Sequence, residues 1–201
     1  MRKIILASGS KFRRNQLESL HLYFMQQVTD IDETRYQGET AMELAARLSR
    51  EKAQAVSDQE ALIIGSDQTI DCNGIILGKP FTVEKARSLL REISGQLLTV
   101  YSGICVLDRH YDQLYEKVEI TKVQLRSFSH LMIDAYLAKE PEAIHCAGGI
   151  KSEGLGKILI SSMYSNDPHA IIGLPLYFLI DALLALGVKL LLSSRRNVHC
   201  I

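Results

Sequence analysis

The sequence predicts a single-domain α/β or α+β protein built on a mixed sheet, and three observations lead there. Strand-like and helix-like segments alternate through the amino-terminal half, the pattern of strands covered by helices. Antiparallel signals then break what would otherwise read as a parallel sheet: Asn73-Gly74 is a two-residue hairpin turn, and the runs 97–107 and 114–126 face each other across a short polar connection. The composition, 47% hydrophobic and 23% charged over 201 residues, is that of a chain with enough apolar surface to bury a core.

In order, residues 3–7 form a strand leading into a helix over 11–20, and 24–28 reads as a second strand before the polar loop 30–38. Thr40 with Glu43 three residues on makes a capping box for a long helix to about Val56, its stripe carried by Leu44, Ala45, Leu48, Lys52 and Ala55. A strand at 61–65 continues through 69–72, turns at Asn73-Gly74 and returns over 75–77. Residues 82–93 read as a helix ended by Gly95. In the run 114–126 the apolar phase shifts between Val118-x-Ile120 and Val123-x-Leu125, so a bulge is expected near Thr121. A Ser129-capped helix to Lys139, a glycine-rich loop over 147–156 and a buried helix over 176–186 complete the domain, taken as residues 1–192; residues 193–201 read as a frayed tail.

Charge and cysteine usage exclude several classes. Lysine plus arginine equals aspartate plus glutamate at 23 each, so no global basic field draws the chain to nucleic acid and any anion site must be local. Cys72, Cys105, Cys146 and Cys200 lack Cys-x-x-Cys spacing, as expected of reduced thiols in the cytoplasm, and the histidines lack metal-ligand spacing. The apolar stretch 171–192 is interrupted by Pro175 and Gly187 and carries Asp181, which would cost roughly 2.5–3.5 kcal/mol at mid-bilayer, so a buried helix is expected there and not a membrane span.

Chemistry concentrates in five places. The first strand runs into Ser8-Gly9-Ser10 and a helix start, where unpaired amides favour an anion, with Lys11, Arg13 and Arg14 supplying charge. Adjacent helical residues point about 100° apart, so Arg13 and Arg14 cannot both face one ligand, and Arg13 is preferred. Asp32-Glu33 lies in a loop suited to a hard cation. Asp67, in Gly65-Ser66-Asp67-Gln68 where a buried strand opens, is a candidate metal ligand or general base. Lys79, between Gly78 and Pro80, and Lys52 offer point charges to phosphate. The glycine-rich segment 148–156 lacks Walker spacing; its Glu153 is placed to accept from the N–H donors of a guanine edge, with Gln68 reading a neighbouring edge.

Taken in order, Ala7-Ser8-Gly9-Ser10 with Arg13-Arg14, Asp32-Glu33, Glu51-Lys52-Ala53, Gly65-Ser66-Asp67-Gln68, Gly78-Lys79-Pro80, Lys151-Ser152-Glu153-Gly154 and Gly173-Leu174-Pro175-Leu176 resemble the Maf family of nucleoside triphosphate pyrophosphatases over nearly the whole chain. The resemblance implies a mixed twisted sheet flanked by helices with a cleft between two lobes, in the manner of Maf and ITPase-like folds. It implies hydrolysis between the α and β phosphates with a divalent cation, Mg²⁺ or Mn²⁺, in a cytoplasmic, homodimeric house-cleaning enzyme. Carried over by position, Asp67 matches the proton acceptor and, with Glu33, the metal-side carboxylates; Ser8, Ser10, Arg13, Arg14, Lys52 and Lys79 match the phosphate-binding set. Phe12, Gln68 and Glu153 match the selectivity positions and resemble the branch acting on 7-methyl-GTP, with the dTTP/UTP branch and a nucleotide-binding regulator of septum formation as alternatives. Lys11 stands where many members of that family have proline.

Overall fold

The computed structural model describes residues 2–191. One seven-stranded mixed sheet organises them, with strand order β2-β1-β3-β5-β6-β7 and β4 paired to β3 off that path. Strand β1 (Lys3–Ala7) pairs in parallel with both β2 (Met25–Gln26) and β3 (Ala61–Cys72), whereas β5 (Leu97–Asp108), β6 (Gln113–Leu125) and β7 (Ile160–Tyr164) follow antiparallel. β4 (Ile75–Ile76) returns from β3 through Asn73 and Gly74, both at positive φ (52° and 85°), the geometry that the Asn-Gly pair favours because its twist matches the strands.

The helices begin where their caps say. Ser10, Thr40, Thr82 and Ser129 each accept a hydrogen bond from the backbone N–H three residues on, starting α1 (Lys11–Glu18), α2 (Ala41–Gln54), α3 (Val83–Ile93) and α4 (His130–Lys139); at Thr40 the reciprocal Glu43 bond completes the box. The fifth helix, α5 (Leu176–Ala185), is largely apolar, and no helix among the described residues is long and apolar enough to cross a membrane.

Three apolar cores divide the chain. One lies under α1 and α5 around Ile4, Leu6, Leu62, Ile64, Ile104 and Leu179; another lies under α2 around Ile5, Ile63, Ala53 and Cys105. The third fills the far half, where Ile70, Leu98, Val100 and Val123 meet Leu90 of α3 and Ile133 of α4. Strands β3 and β5 run through both halves, and between the cores their buried side chains turn polar: Ser66, Asp67, Thr69 and Ser102. This polar seam separates two lobes on one continuous sheet.

Several sequence expectations need correction. The first helix ends at Glu18 and the second strand shrinks to two residues. No bulge occurs at Thr121: β5 and β6 keep one register from Leu97↔Gln124 to Asp108↔Gln113. The apolar phase shifts there because the inward positions are polar, with Glu119 and Thr121 buried while Ile120 is exposed; the irregularity lies at Gln124/Leu125, against β7. Part of the glycine-rich loop winds into 3₁₀ turns at Ala147–Gly149 and Leu155–Leu159. The tail expected over 193–201 lies outside the described residues.

Helix α2 sits on the sheet with almost no side-chain spacer. A Cβ at Gly65 would lie 2.1 Å from the Ser49 carbonyl oxygen, and one at Gly103 would lie 2.2 Å from that of Ala45. Backbone cannot yield as a side-chain tip can, so both positions require glycine for packing. Gly103→Ala should therefore cost about 1–3 kcal/mol of stability by overpacking, read as a lower urea midpoint at unchanged m-value; an unchanged midpoint would contradict this packing account.

Candidate active site

The site forms where β1 ends and β3 continues. Ala7 pairs with Gly65, the last such pair, so the segment 8–10 departs from the sheet beside Ser66 and Asp67. The close seating of α2 then delivers Lys52 from its buried face to this point. Lys52 Nζ lies 2.5 Å from Asp67 Oδ1 and 2.7 Å from Glu33 Oε1, so one ammonium is shared by two carboxylates from different elements. Lys52 and Asp67 are both buried, whereas Glu33 reaches in from the exposed loop that precedes α2. Burial pushes the Glu33 carboxyl upward, but its hydrogen bond to Lys52 and the charges of Lys52, Lys79 and Arg13 outweigh this and hold it below the ordinary range.

Arg13 occupies the opposite wall. Its Nε donates to the Gly173 carbonyl at 3.1 Å and Nη1 to Ser8 Oγ at 3.2 Å. Of its five N–H groups, these bonds use two, and the other three make no hydrogen bond among the described residues. Burial draws the guanidinium pKa down while the charges of Asp67 and Glu33 oppose it. Ser8 Oγ also accepts from the Ser10 amide at 3.2 Å, closing a tight turn at the start of α1. Arg14 is not brought to this cluster: it points outward and pairs with Glu18 at 2.8 Å. Lys79 is exposed and forms no ion pair among the described residues; its segment is docked by Gly148 N–H to Gly78 carbonyl and by Phe81 N–H to Ile144 carbonyl.

A cavity of about 130 Å³ opens from Ser10 and Arg13 into the second lobe, and Phe12, Gln68, Ser152 and Glu153 line it above an apolar floor that includes Ile70 and Val100. Gln68 Nε2 donates to the Ala170 and Ile171 carbonyls at 3.0 and 3.2 Å and contacts Ser102 Oγ at 3.0 Å, leaving its carbonyl oxygen as the group not engaged. Glu153 Oε1 is buried and has no hydrogen-bond partner, a costly arrangement unless something else supplies the donor. The loop bearing Glu153 is braced by ion pairs that the sequence did not reveal: Lys151 bonds Glu140 at 2.8 Å and Glu142 at 2.6 Å, and Lys11 reaches across the cleft to Glu142. Lys11 and Lys151 together hold the Glu142 carboxyl down at about 2.

No group of three or more histidine, cysteine, aspartate or glutamate side chains converges among the described residues. The site nevertheless fits a hard divalent cation, because Glu33 and Asp67 already direct oxygens at one cationic centre and Mg²⁺ ordinarily takes one or two protein carboxylates with the rest of its shell from phosphates and water.

Fold and site together define an α/β protein with a cleft where cations and carboxylates meet at the end of a parallel strand, beside a recess of about 130 Å³. The chain belongs to the Maf family, whose model, described as Maf-like protein, matches residues 3–186. Among curated relatives it is 42% identical over 190 residues to the 7-methyl-GTP pyrophosphatase of Chromobacterium violaceum, covering 94% of this chain and 98% of that protein. It is 39% identical to the protein of the same name from Neisseria meningitidis serogroup B, covering 94% and 97%. Among solved structures, a HAM1 protein from Coxiella burnetii aligns with a TM-score of 0.46 at 19% identity over 62% of this chain and 73% of that one.

The shared ammonium makes a pH prediction. A carboxyl held below its unfolded value contributes stability that is present above that value, near 4.3 for glutamate, and is lost as pH falls through the folded value. In a carbon-detected NMR titration the Glu33 carboxyl should titrate below about 4.3 and move upward in Lys52→Ala; an unmoved titration would contradict the Lys52 bridge.

Proposed function

We propose that this chain hydrolyses the α–β phosphoanhydride of 7-methyl-GTP to 7-methyl-GMP and diphosphate, a cytoplasmic house-cleaning activity on modified nucleotides. The observation that carries this reading is the unpartnered, buried Glu153 oxygen in the same cavity as Arg13 and Ser10. A guanine edge presents two donors, the ring N–H and the amino group, and the cavity offers two acceptors, Glu153 and the free carbonyl oxygen of Gln68. Methylation makes the base cationic, which favours the Glu153 carboxylate and the face of Phe12 over a neutral base. The names of the two relatives, matched over nearly their full length, support the same substrate.

The phosphate end follows from charge and geometry. The three unengaged N–H groups of Arg13, the first turn of α1 after Ser10, and Lys79 supply donors to phosphate oxygens. Asp67 takes the proton of the attacking water, and the ion pair with Lys52 fixes the orientation of that carboxylate until substrate arrives. Glu33 and Asp67 would hold Mg²⁺ or Mn²⁺, which when bound neutralises charge on the triphosphate.

Diphosphate release should be measured with 7-methyl-GTP, GTP, dTTP, UTP and CTP in the presence of Mg²⁺. The expected result is preference for 7-methyl-GTP, a fall of about 100-fold or more in turnover for Asp67→Asn, the scale of a lost general base, and loss of the guanine preference in Glu153→Ala. Cleavage of pyrimidine triphosphates in preference would overturn the substrate assignment, and absence of any cleavage would overturn the reaction.

A further inference from the structure

Gly173-Leu174-Pro175-Leu176 contributes no side chain to the reaction above, yet three site elements converge on its backbone. The Gly173 carbonyl accepts from Arg13 Nε at 3.1 Å and lies 2.7 Å from Ser66 Oγ, which is also 2.8 Å from the Gly103 carbonyl. Ser66 is fully buried. A serine hydroxyl has a single proton to donate, so Ser66 bonds one of these carbonyls at a time and ties the turn at Gly173 to β3 when it donates there. Gln16, one turn beyond Arg13 on α1, grips the same turn: its carbonyl oxygen accepts from Leu174 N–H at 3.1 Å and its amide donates to the His169 carbonyl at 2.8 Å. Gly173 itself sits at φ 133°, and a Cβ there would lie 3.1 Å from Arg13 Nε and 3.3 Å from Cγ, so only glycine lets the arginine lie along the turn.

We infer that Ser66 is a positioning residue for Arg13: through the Gly173 carbonyl it fixes where the guanidinium presents its remaining N–H groups. The inference rests on the phosphate-binding role proposed for Arg13. It assigns a function to the serine that precedes Asp67, and it makes the carbonyl of Gly173 part of the phosphate site although it touches no substrate. Ser66 and Gly173 are 107 residues apart, so the alignment of the arginine is set by two distant segments meeting across the seam.

The test compares Ser66→Ala, Arg13→Lys and the double variant in steady-state turnover of 7-methyl-GTP with Mg²⁺ and in the ¹H–¹⁵N spectrum of arginine Nε–H groups of the free protein. Ser66→Ala should raise KM about fivefold, the scale of one hydrogen bond, with kcat within about twofold. Added to Arg13→Lys it should change nothing further, because it acts only through that side chain. The Arg13 Nε–H signal, identified by its loss in Arg13→Lys, should exchange with solvent about tenfold faster in Ser66→Ala, because the Gly173 carbonyl that accepts from it is no longer held in place. Gln16→Ala loosens the same turn from the side of α1 and should move the same signal, which keeps the test available if Ser66→Ala folds poorly. Additive effects on KM, or an Nε–H signal that neither variant moves, would overturn the inference. The spectrum needs no substrate, so a chain that hydrolysed no nucleotide would sink the proposed activity while leaving this inference to be decided by the Nε–H exchange.

Discussion

The contact on which the rest depends is that of helix α2 with the sheet at Gly65 and Gly103. A helix normally stands off a sheet by the thickness of two layers of side chains; here the carbonyls of Ser49 and Ala45 occupy the space that two β-carbons would fill. The approach brings Lys52, which sits in the buried stripe of α2 with Leu44, Ala45 and Leu48, to within 2.5 Å of Asp67. A lysine in that stripe is costly to desolvate unless paired, and a buried aspartate is equally costly alone. Each makes the other tolerable, and Glu33 joins them from the exposed loop that precedes α2. The geometry also places the proposed reaction centre at the carboxyl end of β1, where the chain leaves the sheet and α1 begins.

A second constraint explains why the site lies between lobes. The sheet is continuous, but its apolar packing is not: strands β3 and β5 carry aliphatic residues at both ends and polar ones at Ser66, Asp67, Thr69 and Ser102. Each of those polar groups is held by a partner, with Thr69 bonding the Ala41 carbonyl and Ser102 the Ala170 carbonyl. In the cavity, by contrast, Glu153 Oε1, the Gln68 carbonyl oxygen and three N–H groups of Arg13 lack partners among the described residues. Polar groups satisfied along the seam and open at the recess are the pattern expected when a ligand completes them.

How much of this was legible in the sequence divides along contact range. Caps, the Asn-Gly hairpin and the long helix over Thr40 were readable because each is decided within four residues. The 100° rule for neighbouring helical residues anticipated that Arg13 and Arg14 would diverge, and they do, with Arg14 turned to Glu18. Lys52 was readable as part of the α2 stripe, but its burial depends on Gly103, about fifty residues away, which no local pattern announces. Strand β7 was missed because it is an edge strand, exposed over most of its length and without alternation. The supposed bulge was an error of the same origin: Glu119 and Thr121 are polar side chains on the inward face, and periodicity alone assigns such residues to solvent. The Ser66–Gly173–Arg13 connection joins three segments whose proximity exists only in the folded chain.

On the proposed reading, one cleft holds the base in the second lobe and the triphosphate against Arg13 and Lys79. A crystal structure with Mn²⁺ and a 7-methyl-GTP analogue bearing a nonhydrolysable α–β bridge tests it most directly. The purine edge should lie on Glu153 and Gln68, with anomalous scattering from manganese beside Glu33 and Asp67 and the α-phosphorus facing Asp67. A base lying outside the recess, or manganese bound away from both carboxylates, would contradict it.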